Sequence, residues 1–157
     1  SEGLSLALNV AAMLIAFIAI VYLVNGCVGW VGSLLGYELS LQMILGWLFS
    51  PVAWLLGVPT GDLSQVGRLL GEKIVLNEFV AYVSMADISE TMSDRAVLIS
   101  SYALCGFANF SSIGIQVGGI GALCPERRGD LARLGIRALI GGNLATFICA
   151  AIVGILY

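Results

Sequence analysis

The distribution of charge constrains this chain more than any other feature. No Asp, Glu, Lys or Arg occurs between Gly3 and Tyr37, Leu39 and Gly61, Ala96 and Pro125, or Ala138 and Tyr157. Each run reaches the roughly 20 residues that a helix needs to cross about 30 Å of hydrocarbon. The 157-residue chain is 59% hydrophobic and 11% charged, with a mean hydropathy of +1.01. A soluble domain carries about a quarter charged residues. A water-soluble core of this size could not hide so much apolar surface and keep a polar exterior. The pattern predicts an all-α, polytopic protein of a cell membrane, with the lipid bilayer as its surroundings.

Several function classes drop out. The chain has no His, and its four cysteines lie far apart with no C-x-x-C pair. It therefore offers no imidazole base, no zinc spacing and no redox pair, and no cofactor or metal site is expected. Cys27, Cys105, Cys124 and Cys149 read as small buried hydrophobes. No basic stripe is interleaved with aromatics, so no nucleic-acid partner is expected. No nucleophile–base pair stands out, so an enzyme is not expected. The N-terminus lacks a signal-peptide pattern, and Ser-Glu-Gly without an initiator Met suggests a start partway through a longer protein.

Along the chain, residues 1–37 read as a long transmembrane helix and turn. Two arrangements fit: one steeply tilted helix, or a span followed by a short helix packed through Gly26, Gly29 and Gly32. Residues 38–60 contain Pro51 and Pro59 with Trp47 and Trp54, which predicts a bent or interfacial helix. Residues 62–83 begin with the polar approach Asp62, Arg68, Glu72 and Lys73, in which Asp62 and Gln65 resemble a capping box. The apolar piece from Ile74 to Val83 is too short to cross and suits a re-entrant hairpin, interrupted at Asn77-Glu78. The acidic, Ser-rich stretch Ser84 to Asp94 reads as a solvated loop. Residues 96–125 could span, yet Asn109, Ser111, Ser112 and a series of glycines break the middle, predicting a discontinuous helix whose freed backbone lines a cavity. The segment 126–137 holds four of the seven basic residues. It reads as a cytoplasmic loop by the positive-inside rule. The last helix, 138–157, then ends outside.

The misplaced polar residues are the candidate site. A carboxylate at membrane depth costs about 2.5–3.5 kcal/mol on insertion scales, so Glu78 needs a partner, a cavity or a ligand; at a shallower depth it simply reaches water. Facing a watery cavity, it could accept two hydroxyl hydrogen bonds or carry a proton. Asn109 and Ser112 add neutral donors and acceptors beside Phe107, a combination that suits a small polar solute bearing a ring. Asn9, Gln42, Gln116 and Asn143 stand alone in apolar runs and fit helix-to-helix hydrogen bonds. The glycines from Gly114 to Gly121 lack a following Lys-Ser/Thr, so they read as packing surface rather than a phosphate loop.

Two ungapped stretches then resemble a known family. Lys73-Ile74-Val75-Leu76-Asn77-Glu78-Phe79-Val80-Ala81-Tyr82 and Ala103-Leu104-Cys105-Gly106-Phe107-Ala108-Asn109-Phe110-Ser111-Ser112-Ile113-Gly114 are similar to signatures of the concentrative nucleoside transporters. Leu6-Asn9-Val10, Val58-Pro59 and Pro125-x-Arg127-Arg128 follow in the same order. The resemblance implies the C-terminal part of a nucleoside symporter coupled to Na+ or H+, assembled as a homotrimer. Residues 61–157 would be the second of two inverted repeats, and the long first helix would belong to the trimer scaffold. Carried over by position, Glu78 and Asn109 would bind ribose hydroxyls with Ser112 assisting, and Phe107 would sit against the base. The family's other hairpin, with its Gly-x-x-Glu tip, and most of its cation site belong to an N-terminal half absent from this sequence. A non-transporting membrane subunit with the same hairpin fold, binding nucleoside or serving assembly, is the alternative.

Overall fold

The computed structural model describes the backbone of residues 2–157, and the side chains of these except residues 2, 5, 6, 9, 10, 13, 14, 17 and 122. The expectation for Asn9 lies outside the described side chains. Among the described residues seven α-helices follow in order: α1 (Glu2–Leu34), α2 (Leu41–Leu55), α3 (Leu63–Val75), α4 (Glu78–Ile88), α5 (Asp94–Leu104), α6 (Phe110–Leu123) and α7 (Arg128–Leu156). Among the described residues no strand occurs, so the all-α expectation holds. Of the two arrangements open for the first run, the chain takes the continuous one, since α1 has 33 residues and is about 50 Å long.

Polar side chains set the helix starts. Ser40 caps α2 by accepting from the Met43 N–H at 3.1 Å, while Asn25 of α1 accepts from the Leu41 N–H at 2.8 Å. Pro51 lies inside α2. It removes one backbone donor, and the neighbouring Ser50 hydroxyl donates to the Gly46 carbonyl at 2.5 Å. Asn77, Ser93 and Asn109 cap α4, α5 and α6 in the same manner. Asp62 does not cap α3, contrary to the capping-box expectation. Its Oδ2 accepts from the Ser93 hydroxyl at 2.5 Å and the Ser93 N–H at 3.3 Å, and Gln65 turns toward Thr91. A long-range tie between the starts of α3 and α5 replaces the local one.

Two expected loops are helical. α4 continues to Ile88 and a 3-10 turn follows at Ser89–Thr91, so most of the stretch 84–94 is ordered helix. Met85 and Ile88 pack on the core while Asp87 and Glu90 face outward, an amphipathic arrangement that composition alone concealed. The basic segment 126–137 is also helical rather than a loop. Pro125 opens a 3-10 turn that runs directly into α7, and the Arg, Leu and Ala residues there are strong helix formers.

The core lies among α2, α3, α5 and α7 and is built of small and medium residues: Ala53, Val66, Leu69, Ala96, Ile99 and Ala150 are fully buried. α3 packs most extensively on α2. The sequence Gly67-x-x-x-Gly71 permits this, because a Cβ at Gly67 would meet the Gly46 carbonyl and one at Gly71 the Leu45 side chain. Large apolar residues instead face outward. On α7, Ile140, Leu144, Ile148 and Ile152 form an exposed stripe, while Asn143, Ala150 and Gly154 are buried. This is the inverse of a water-soluble helix and the pattern of helices packed in lipid. The four cysteines follow it: all are exposed, not buried as expected, because apolar surroundings do not drive a small apolar side chain inward. Among the described residues, one helix, Pro125–Leu156, is long and apolar enough to cross a membrane by itself.

Candidate functional site

Helical structure stops twice in the middle of an apolar stretch. α3 and α4 are separated only by Leu76 and Asn77, and α5 and α6 by the five residues Cys105 to Asn109. In each case an Asn with extended backbone starts the next helix. Asn77 Oδ1 accepts from the Val80 N–H at 2.9 Å, and Asn109 Oδ1 accepts from the Ser112 N–H at 2.7 Å. The N-termini of α4 and α6, the positive ends of their dipoles, therefore converge. Glu78 is the first residue of α4, where a carboxylate is favoured by that dipole.

The two breaks meet through side chains. Asn109 Nδ2 donates to Glu78 Oε2 at 2.8 Å. Asn109 is 1% exposed, and its Oδ1 also accepts from the hydroxyls of Ser111 and Ser112, both at 2.7 Å. With its Oδ1 and one of its two Nδ2 hydrogens engaged, Asn109 cannot rotate without losing bonds, and it keeps one N–H to donate. Glu78 is half-buried and has no ion-pair partner among the described residues, so its carboxylate keeps acceptor capacity for donors from outside the chain. Ser112 is half-buried beside it, and Phe107 is 75% exposed, its aromatic face largely uncovered among the described residues. Of the four residues singled out from sequence, Glu78, Asn109 and Ser112 are thus joined in one hydrogen-bonded group, and Phe107 lies two residues before Asn109 on the unwound stretch.

A cavity of about 450 Å³ lies between α6 and α7, lined by Phe107, Asn109, Ser112 and Gln116 with Ile113 and Leu139; it reaches the Asn109 and Ser112 side of the group, and Glu78 does not line it. Gln116 is exposed and lines the cavity, one helical turn beyond Ser112, instead of bonding another helix. Gln42 likewise lines a second cavity, of about 350 Å³, with Asn25, Arg68, Glu72 and Ser84. The expected glycine packing is uneven: a Cβ at Gly121 would meet Arg128, but one at Gly118 would meet open space.

Sequence reasoning did not connect Lys73 with the site. The residue is 0% exposed, and its Nζ donates to Asn143 Oδ1 at 2.6 Å. Asn143 Nδ2 in turn donates to the Ala108 carbonyl at 2.9 Å, which fixes the unwound stretch just before Asn109. Asn143 thus makes the helix-to-helix bond expected of it. No local pattern pointed there, because Lys73 follows Arg68 and Glu72 in a polar approach where a charge is unremarkable.

Residues 1–154 match the family described as Na+ dependent nucleoside transporter, C-terminus. The chain belongs to the concentrative nucleoside transporters. It is 50% identical over 155 residues to the uncharacterized transporter YutK of Bacillus subtilis, covering 98% of this chain and 38% of the relative. It is 41% identical over 165 residues to sodium/nucleoside cotransporter 1 of Mus musculus, covering 95% and 26%. In structure it resembles a variant of CNTnw described as in an intermediate state, with TM-score 0.92 and 46% identity over 99% of this chain and 40% of that one. The match to CNTnw in an inward-facing substrate-bound state has TM-score 0.82, with 45% identity over 98% and 38%. The fold is therefore that of this transporter family, which is not a family of enzymes, and the chain spans about two fifths or less of the length of these relatives. Among its described residues, no group of three or more Cys, Asp or Glu is placed to hold a metal ion.

Proposed function

We propose that this chain forms the C-terminal part of a cation-coupled nucleoside symporter that moves its substrate inward by alternating access. Glu78 and Asn109 bind the ribose hydroxyls, Ser112 assists, and Phe107 stacks on the base. The observation that carries this reading is the 2.8 Å bond from Asn109 to Glu78, which joins the two helix breaks into one polar group within an apolar scaffold. Vicinal hydroxyls are suited to such a pair, because each can donate to the carboxylate while accepting from an amide.

The remaining parts take their roles around that site. Residues 61–157 form the second transport repeat, with the hairpin of α3 and α4, the broken helix of α5 and α6, and the final helix α7. Residues 1–37 form the scaffold helix of a homotrimer, and 38–60 the interfacial helix. The Na+ or H+ site lies largely in the N-terminal half, whose hairpin completes the nucleoside pocket. The protein is multi-pass in the cell membrane, with residues 126–137 cytoplasmic and the C-terminus outside. CNTnw structures in different states match this chain with TM-scores from 0.81 to 0.92 at nearly constant identity, which supports helices that shift relative to one another during transport.

The test is uridine uptake by the full-length protein carrying Glu78→Gln. Loss of hydrogen bonds to a charged group, about 1.5–3 kcal/mol, predicts uptake reduced about tenfold or more, with trimers still formed. Undiminished uptake at matched expression contradicts the proposal; uridine bound but never moved by the unmodified protein would favour the non-transporting subunit.

A further inference from the structure

Lys73 brings a positive charge into the fold; the groups that touch its ammonium there are neutral, and the Glu78 carboxylate acts on it only through space. Its Nζ donates to Asn143 Oδ1 at 2.6 Å and to Thr146 Oγ1 at 3.4 Å, and lies 5.6 Å from the centre of the Phe147 ring. No carboxylate forms an ion pair with it among the described residues. Both oxygens are held toward it by other bonds. The Asn143 amide N–H groups are committed to the carbonyls of Ala108 and Leu139, each at 2.9 Å, so the amide oxygen must face Lys73. The Thr146 hydroxyl donates back along α7 to the Asn143 carbonyl at 3.0 Å, which leaves its lone pairs for Lys73. An amide oxygen, a hydroxyl oxygen and an aromatic face, all neutral and preset, form a site built for a compact monovalent cation.

We propose that Lys73 is a tethered cation. Its ammonium occupies a monovalent-cation site at the junction of α3, α7 and the unwound stretch, and so serves as a positioning residue for the nucleoside site. The consequence runs through two bonds: Lys73 holds Asn143, Asn143 holds the Ala108 carbonyl, and Ala108 stands between Phe107 and Asn109. Gly106 brings the same stretch against Thr146, where a Cβ would collide with its methyl group. A charge attached to the hairpin thus keeps the segment 105–109 against α7, whatever the salt around the protein. The inference rests on the proposed reading of the site as nucleoside-binding.

Chemical rescue tests it. Uridine affinity is measured on the full-length protein, wild type and Lys73→Ala, with methylammonium or choline added at fixed Na+. Lys73→Ala is expected to weaken uridine binding about tenfold or more; methylammonium, which fits the vacated site, restores most of it, and choline, which is too large, does not. The wild type responds to neither. A folded Lys73→Ala protein that keeps wild-type affinity, or whose affinity methylammonium leaves unchanged, overturns the proposal. If Lys73→Ala does not fold, Lys73→Gln keeps the bond to Asn143 without the charge; weakened binding agrees with the proposal, and wild-type affinity overturns it. Glu78→Gln run alongside separates the two ideas: normal uridine affinity there defeats the site itself, whereas weakened affinity with no rescue at Lys73 defeats only the tethered cation.

Discussion

Between α3 and α4 the chain reverses in two residues; between α5 and α6 it stays unwound for five, and the two breaks are satisfied differently. Each ends in an Asn that caps the next helix. Asn77 is half-buried and its side chain takes one backbone N–H. Asn109 is buried, gathers three donors on one oxygen and reaches Glu78 with its nitrogen. A short turn frees few backbone groups, so one cap is enough. A five-residue break in apolar surroundings frees more, and each group needs a partner from elsewhere in the fold. That demand brings Asn143 to the Ala108 carbonyl. It also makes the long break a place where polar groups can be held rigidly enough to recognise a solute.

This difference can be broken by substitution. Asn109→Ala removes a cap and strands buried hydroxyls, at a cost of about 2–4 kcal/mol. Its uridine affinity is expected to fall by about a hundredfold, with a lower melting temperature in detergent. Gly106→Ala comes next. The new methyl must displace Thr146, an overpacking worth about 1–3 kcal/mol, and uridine binding should weaken about tenfold while α3 and α4 stay intact by hydrogen exchange. Asn77→Ala loses a cap alone, about 1 kcal/mol of stability, with uridine affinity kept within about threefold. Equal losses of uridine binding in Asn77→Ala and Asn109→Ala would erase the distinction between cap and hub. Gly118→Ala, which faces open space, should change stability by no more than about 1 kcal/mol and leave binding untouched.

What sequence could reveal follows the same division between local and distant causes. Glu78 and Asn109 were legible because each violates the apolar pattern around it, and a polar residue at that depth demands an explanation. Their direct bond spans 31 residues, and no local pattern predicts it, yet both stood out singly. Lys73 was not legible. It stands at the end of a polar approach with Arg68 and Glu72, where a charge is unremarkable, and Asn143 reaches it from 70 residues away. Asp62 misled for the opposite reason: a plausible local cap gave way to Ser93, which only the packed hairpin brings close. Composition marked 84–94 and 126–137 as loops because it counts charges without placing them on a face. The exposed cysteines show the reverse error, burial inferred from apolar character in a protein whose surroundings are apolar too.

Glu78, held by Asn109, is the group proposed to read the sugar hydroxyls. The most direct measurement compares binding of uridine and 2′,3′-dideoxyuridine to the full-length protein, with Glu78 intact and as Glu78→Gln. With Glu78 intact, uridine should bind at least about tenfold more tightly, the worth of one hydrogen bond to a charged group. In Glu78→Gln that preference should shrink to about twofold or less. A variant that still prefers uridine by the full factor would contradict the account.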